Sequence, residues 1–178
     1  MKAEKVISWV VLIVLIAGAF LYGAYREWNG RSREVDVCRA ALTEAYTARR
    51  EAAYNLLTVA KRHLNGENEA VLAVQEDWRQ LGEAALSAAS RGSQALTGDA
   101  QNLFAAVQET ESLQTDERDK AYILQLLPQM MESAGIRVSS EEAAYREAAD
   151  DYNASFDKYF ISSFLASLFG MDRAPGLS

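Results

Sequence analysis

Residues Val6 to Tyr25 read VISWVVLIVLIAGAFLYGAY, 20 residues without a charge in a chain of 178. No other stretch constrains the fold as strongly. At about 1.5 Å rise per residue, a helix of that length covers the roughly 30 Å hydrocarbon core of a bilayer. Trp9 stands near one end, with Tyr22, Tyr25 and Trp28 near the other, where amphipathic rings prefer the headgroup layer. The favoured reading is a single transmembrane helix holding membrane lipid through residues 6–25. A cleaved signal peptide is the competing reading, since Ala17-Gly18-Ala19 resembles a small-residue cleavage site. Against it, the apolar run continues past that point to Tyr25, longer than a signal sequence needs.

Charge sets this segment apart. Residues 1–33 hold Lys2, Lys5, Arg26, Arg31 and Arg33 against Glu4 and Glu27, a net of +3. With the whole chain at −7, residues 34–178 carry −10. An acidic surface without a basic stripe argues against nucleic acid as a partner. Arg26, Arg31 and Arg33 form a collar suited to anionic headgroups. Lys2, Lys5 and the amino terminus nearly balance that collar across the span, so the positive-inside count leaves orientation open. Cys38 is the one cysteine, which rules out an internal disulfide and any multi-cysteine metal site.

The remainder is expected to be all-α, because Ala, Glu, Gln, Leu and Arg dominate and the chain has two prolines. From Val35, the positions Cys38, Leu42, Ala45, Arg49, Ala52, Leu56, Val59 and His63 follow in steps of three and four. That is the core stripe of a bundle helix, ending at Asn65-Gly66. A second helix is expected from about Glu69 to Ala89, with breaks at SRGS (residues 90–93) and at Thr97-Gly98-Asp99. A third then runs to Leu113. Thr115 or Asp116 caps a fourth, which carries Tyr122, Leu126, Met130 and Met131 and which Pro128 is expected to kink. Gly135 breaks it, and Ser139 with Glu142 forms a capping box that opens the last helix. Short loops between amphipathic helices imply an antiparallel up-and-down bundle. The expected division is an anchor with basic flank at 1–33, a bundle at 34–171 and a disordered tail at 172–178.

Tyr159 to Met171 holds no charge. In an even-numbered antiparallel bundle this segment returns to the level of Arg33, beside the lipid. Phe156, Phe160, Phe164 and Leu168 are expected to complete the core. Ile161, Leu165 and Phe169 face elsewhere and would meet headgroups or a membrane partner, unless they too are core. With Trp9, Tyr22, Tyr25, Arg26, Trp28, Arg31 and Arg33 they make up the expected membrane or partner contacts.

No constellation for chemistry is visible. His63 is the only histidine, so di-iron and metalloprotease patterns are excluded, and its place near a helix end suggests a structural role. Neither a P-loop nor a Gly-x-Ser-x-Gly elbow occurs. Adjacent acids such as Glu76-Asp77 and Asp150-Asp151 diverge by about 100° on a helix and share no ligand. Arg49, on the apolar stripe, either snorkels to the surface, which is favoured, or pairs with a carboxylate of the last helix. Asn153-Ala154-Ser155 is a glycosylation sequon by pattern, read as accidental. No catalytic residue, cofactor or metal is assigned.

Tyr145-Arg146 and Tyr152-Asn153, seven residues apart, are followed by Tyr159 and by LASLFGM, Leu165 to Met171. RREAAYNLLTVAK, Arg49 to Lys61, places Asn55, Leu56 and Lys61 in a second pattern, and LFAAVQETESLQT at Leu103–Thr115 a third. Together these segments resemble the LemA family of membrane-anchored helical bundles, with Tyr54 standing where the family carries Pro. The resemblance implies an anchored bundle without enzymatic activity that works in membrane-associated assembly, some relatives being associated with a membrane protease. The expectation is thus a non-enzymatic, single-pass scaffold or adaptor of a bacterial membrane, with its bundle on the extracytoplasmic side. It would engage another membrane or envelope protein, with a membrane protease as one candidate and self-association as another. The alternative is a helical ligand-sensing domain of receptor type, although a sensor must pass its signal on and no second apolar span is offered for that.

Overall fold

A computed structural model describes residues 2–128, 134–158 and 162–177. The fold is all-α, with no strand among the described residues. Helix α1 (Lys2–His63) is followed by α2 (Glu69–Glu83), α3 (Leu86–Gln108), α4 (Glu111–Thr115), α5 (Glu117–Pro128), α6 (Ala134–Asp157) and α7 (Ser162–Phe169). Among the described residues, α1 is the one helix long and apolar enough to cross a membrane, and none of its most apolar window, mean hydropathy 2.5, is buried. It continues through residue 33 without a break.

The chain divides into two compact units. The first joins Met1–Val37 to Glu147–Ala174, the second Cys38–Arg146 to Pro175–Ser178. In the first unit, Trp28 of α1 is 0 % exposed and stacks on Phe156 of α6, with ring centroids 5.5 Å apart. Tyr152 meets Phe156 edge-on, and Phe169 meets Trp28 edge-on. Such ring pairs add to the gain from burying apolar area. The Trp28 indole Nε1 donates to the Ser155 carbonyl at 3.2 Å, which satisfies the one polar atom of that side chain.

The second unit follows the stripe of threes and fours closely. Leu42, Ala45, Arg49, Ala52, Leu56 and Val59 are all buried. Cys38 is half-buried. Helices α2 and α3 run antiparallel, with Leu81 against Gly92. Asn68 caps α2 by accepting the Ala70 N–H, and Asp116 caps α5 by accepting from Arg118 and Asp119.

Four features differ from the sequence reading. The break between α2 and α3 lies at Ala84-Ala85, both extended with ψ of 139° and 154°, while SRGS and Thr97-Gly98-Asp99 stay helical. SRGS is a packing face: Ser90 and Ser93 are buried. Helix α6 begins at Ala134, so Gly135 is inside it and Ser139 is no cap; Glu142 turns inward. The last helix is not continuous, because α6 stops at Asp157 and α7 starts afresh at Ser162.

The fourth is the tail, which is held rather than disordered. Arg173 pairs with Asp157 at 2.6 Å, and the Ala174 backbone is bound by Asn153. Within the second unit, the Tyr145 hydroxyl donates to the Pro175 carbonyl at 2.8 Å. Met130, Met131, Tyr159, Phe160 and Ile161 lie outside the described residues.

Candidate functional site

Helix α1 enters the second unit with two arginines side by side, Arg49 and Arg50, which the helical turn points in different directions. Arg49 faces inward and is 5 % exposed, so the snorkelling reading is overturned. Its Nη1 donates to Ser93 Oγ at 2.9 Å, and its Nη2 donates to Thr97 Oγ1. Glu142 of α6 supplies the nearby negative charge and accepts the Tyr46 hydroxyl at 2.8 Å. Burial lowers the pKa of Arg49, opposed by the Glu142 charge. It raises that of Tyr46, where the hydrogen bond to Glu142 adds to the effect. Five helical positions on α1, α3 and α6 thus close a polar network inside the core, whose groups supply one another's missing solvent.

Arg50 faces outward. Its guanidinium lies 4.6 Å from the centre of the Trp78 ring, and its Nε donates to the Trp78 carbonyl at 3.2 Å. Tyr54, one turn further along α1 and exposed, tilts against the same ring at 5.8 Å. The three side chains, with Thr47, Glu51 and Asn55, line an open cleft of about 620 Å³. Gly82 makes room for this arrangement, since a Cβ there would overlap the Arg50 guanidinium. Sequence reasoning passed over Arg50, Trp78 and Gly82. The signal it could have used is that α1 and α2 are adjacent antiparallel helices, which sets Arg50 and Tyr54 opposite Trp78.

A second cleft of about 430 Å³ lies one turn on, between α1 and α5, lined by Asn55, Thr58, Arg62, Asp119, Tyr122 and Gln125 among others. At its edge His63 Nε2 contacts Asp119 Oδ2 at 3.1 Å, and His63 Nδ1 contacts Ser112 Oγ at 3.1 Å. Arg62 donates to both Asp119 oxygens at 3.0 and 3.1 Å. Burial raises the Asp119 pKa, but the hydrogen bonds from His63 and Arg62 outweigh it and hold the carboxyl below its usual range. Ligating atoms of His63, Asp116 and Asp119 come within 4.8 Å of one another. A cation there would face the Arg62 guanidinium and displace bonds already made, so the cluster is better suited to latching the end of α1 to α4 and α5.

One pair of acids does converge, across helices. Asp99 of α3 lies close enough to Asp77 of α2 to oppose its ionisation. Burial first, then the charge of Asp99, pushes Asp77 up to about 6. Its Oδ2 is buried without a partner.

The expected membrane and partner contacts fall into three groups. Trp9, Tyr22, Tyr25, Arg26 and Arg33 are exposed. Trp28 is buried beneath Phe156, and Arg31 is bound to the Asp151 carbonyl at 2.9 Å and to Glu27, so neither stands free for headgroups. Leu165 is 1 % exposed and Phe169 is half-buried against Tyr25 and Trp28, while Phe164 and Leu168, expected in the core, are 67 % and 58 % exposed. The two faces are exchanged because the new start at Ser162 resets the helical phase carried along α6. Ile161 lies outside the described residues.

Among curated proteins and among solved structures, nothing matches the chain. The model of one protein family does match, over residues 39–178, which takes in the Arg49–Lys61 segment, the Tyr-Asn pair and the LFG tail. The chain belongs to the LemA family.

Proposed function

We propose that this chain is a non-enzymatic scaffold or adaptor, anchored by one pass of α1, that engages another membrane or envelope protein through the Arg50–Tyr54–Trp78 face. The observation that carries the reading is the surface cluster itself, with Tyr54 exposed and Arg50 and Trp78 half-buried. Trp, Tyr and Arg are the side chains that dominate binding energy at protein interfaces. Here Arg50 is already fixed on the Trp78 ring, so less freedom is lost on association than for a loose side chain. No residue is assigned a catalytic role. The buried Arg49 network makes no open site, and the His63–Asp119 latch has its donors and acceptors occupied. In this reading the second unit faces the extracytoplasmic side of a bacterial membrane, and the partner is a membrane protease or a comparable envelope protein. Affinity capture from detergent-solubilised membranes tests it: the wild-type chain retains a discrete membrane protein, and the Tyr54→Ala/Trp78→Ala variant loses it while keeping its helicity. Equal capture by both would remove this face from the interaction.

A second reading, a ligand-sensing domain, is favoured by the cleft of about 430 Å³ at Asn55, Arg62 and Asp119. Its volume falls among small-molecule sites, roughly 300–1,000 Å³. A metabolite panel screened by thermal shift separates the two. A compound that raises the Tm of the wild type but not of Asn55→Leu would favour sensing.

A further inference from the structure

Helix α7 presents two large apolar side chains to the outside. Phe164 and Leu168 are four residues apart and therefore share one face of the helix. The opposite face is fixed: Leu165 and Ala166 are buried, and Phe169 packs on the Tyr25 ring at 5.1 Å. Both ends of the excursion that carries α7 are tied to one short stretch of α1. Before it, Lys158 Nζ is bound to Glu27 at 3.0 Å. After it, Gly170 turns the chain with φ 64°, the Met171 N–H closes on the Ala166 carbonyl at 2.9 Å, and Phe169 holds Tyr25. Tyr25 and Glu27 are about 3 Å apart along the axis of α1, at the carboxyl edge of the uncharged run that ends at Tyr25. Phe20, Tyr22 and Tyr25, just inside that edge, are exposed in the same unit.

We propose that α7 is an interfacial membrane helix, with Phe164 and Leu168 inserted at the headgroup–acyl boundary of the bilayer that α1 crosses. The occupant of this face follows from continuity. The exposed apolar surface of α7 begins where the apolar surface of the span ends, and residues 159–171 offer lipid no charge. Charged Asp157, Lys158, Asp172 and Arg173 flank the segment on both sides, where headgroups and water would receive them. A short amphipathic helix held beside a span in this way fixes how deep the span sits and limits its tilt, because any change drags Phe164 and Leu168 into water or buries those flanking charges. This inference needs the anchor but not the scaffold reading of the second unit.

The test uses full-length protein with Cys38→Ser, reconstituted into vesicles of phosphatidylcholine and phosphatidylglycerol. An environment-sensitive fluorophore is placed at Phe164→Cys, at Leu168→Cys, at Tyr22→Cys as the lipid reference and at Glu147→Cys as the aqueous reference. The expected result is that labels at 164 and 168 are quenched several-fold more by lipids spin-labelled near the headgroup than by aqueous iodide, as at 22 and opposite to 147. Iodide quenching at 164 and 168 with lipid quenching retained at 22 would overturn the inference while leaving the anchor intact. Protection from both quenchers would also overturn it, since a second copy would then cover the face. A label at 22 that reports water would contradict the anchor and the inference together.

Discussion

Asn153 grips Ala174 with both ends of its amide: Nδ2 donates to the Ala174 carbonyl at 3.0 Å, and Oδ1 accepts the Ala174 N–H at 2.8 Å. One side chain thereby satisfies a complete backbone unit of a segment that has no regular secondary structure of its own. Asn153→Ala removes both bonds. At roughly 0.5–1.5 kcal/mol net per hydrogen bond, the loss is about 1–3 kcal/mol. Trypsin should then cleave after Arg173 faster than in the wild type, with the global melt lowered modestly. An unchanged cleavage rate would mean that the segment's other contacts, such as the Arg173–Asp157 pair, hold it without Asn153.

Arg49 is the charge whose removal should cost most. Arg49→Met strands Glu142 inside the second unit with Tyr46 as its remaining partner. Breaking a buried charged network on one side costs about 3–5 kcal/mol. Arg49→Lys should fail to restore stability, because one ammonium cannot fork to Ser93 and Thr97 as the guanidinium does. Adding Glu142→Gln to Arg49→Met should recover part of the loss, and urea melts of the four variants give the coupling directly. Additive losses would show that the two residues act independently.

Asp77 makes stability depend on pH. Its folded pKa, about 6, lies above the ordinary aspartate value of 3.8, so the folded chain holds this proton more tightly than the unfolded one. The stabilisation is complete below about 3.8 and is lost as pH rises through about 6. Asp77→Asn imitates the protonated form. The variant should melt higher than the wild type at pH 7.5 and the difference should shrink by pH 4.5, an effect reduced by the partial exposure of the site. A Tm difference that does not change with pH would contradict the raised Asp77 pKa.

Gly82 is needed for space rather than for its backbone, which is helical. Gly82→Ala should favour the helix by roughly 1 kcal/mol on propensity alone, yet it pushes Arg50 from the Trp78 ring. The expected outcome is little net change in Tm with a shifted Trp78 emission, read in a background where Trp9 and Trp28 are Phe. An unshifted emission would show that Arg50 keeps its place.

Much of the first bundle helix was legible, because a run of threes and fours without a slip from Val35 to His63 admits one buried face, and the buried residues follow it. The long apolar helix at the amino end was legible for a similar reason, length without charge. Serines and glycines misled: Ser90, Gly92, Ser93 and Gly98 look like loop formers one by one, and nothing local says that a buried Arg49 requires hydroxyls on α3. The phase of α7 could not be read, since α7 is a helix separate from α6 and its Phe169 packs on Tyr25 and Trp28, partners more than 100 residues away in sequence. Asn153 was visible as a sequon and in the Tyr152-Asn153 pair but not as the clamp on Ala174, because Ala174 contributes backbone, which carries no side-chain signature. The Asp77–Asp99 pair escaped because acids were compared along one helix and not across two.

Photo-crosslinking at position 54 addresses the scaffold reading most directly. Benzoylphenylalanine replaces Tyr54 in the full-length chain in native membranes, with the same group at the exposed Glu117 as the control. The predicted result is a crosslink from position 54 to one discrete membrane protein, absent from position 117 and abolished by Trp78→Ala. Crosslinks from position 54 that match those from 117, or that persist without Trp78, would contradict it.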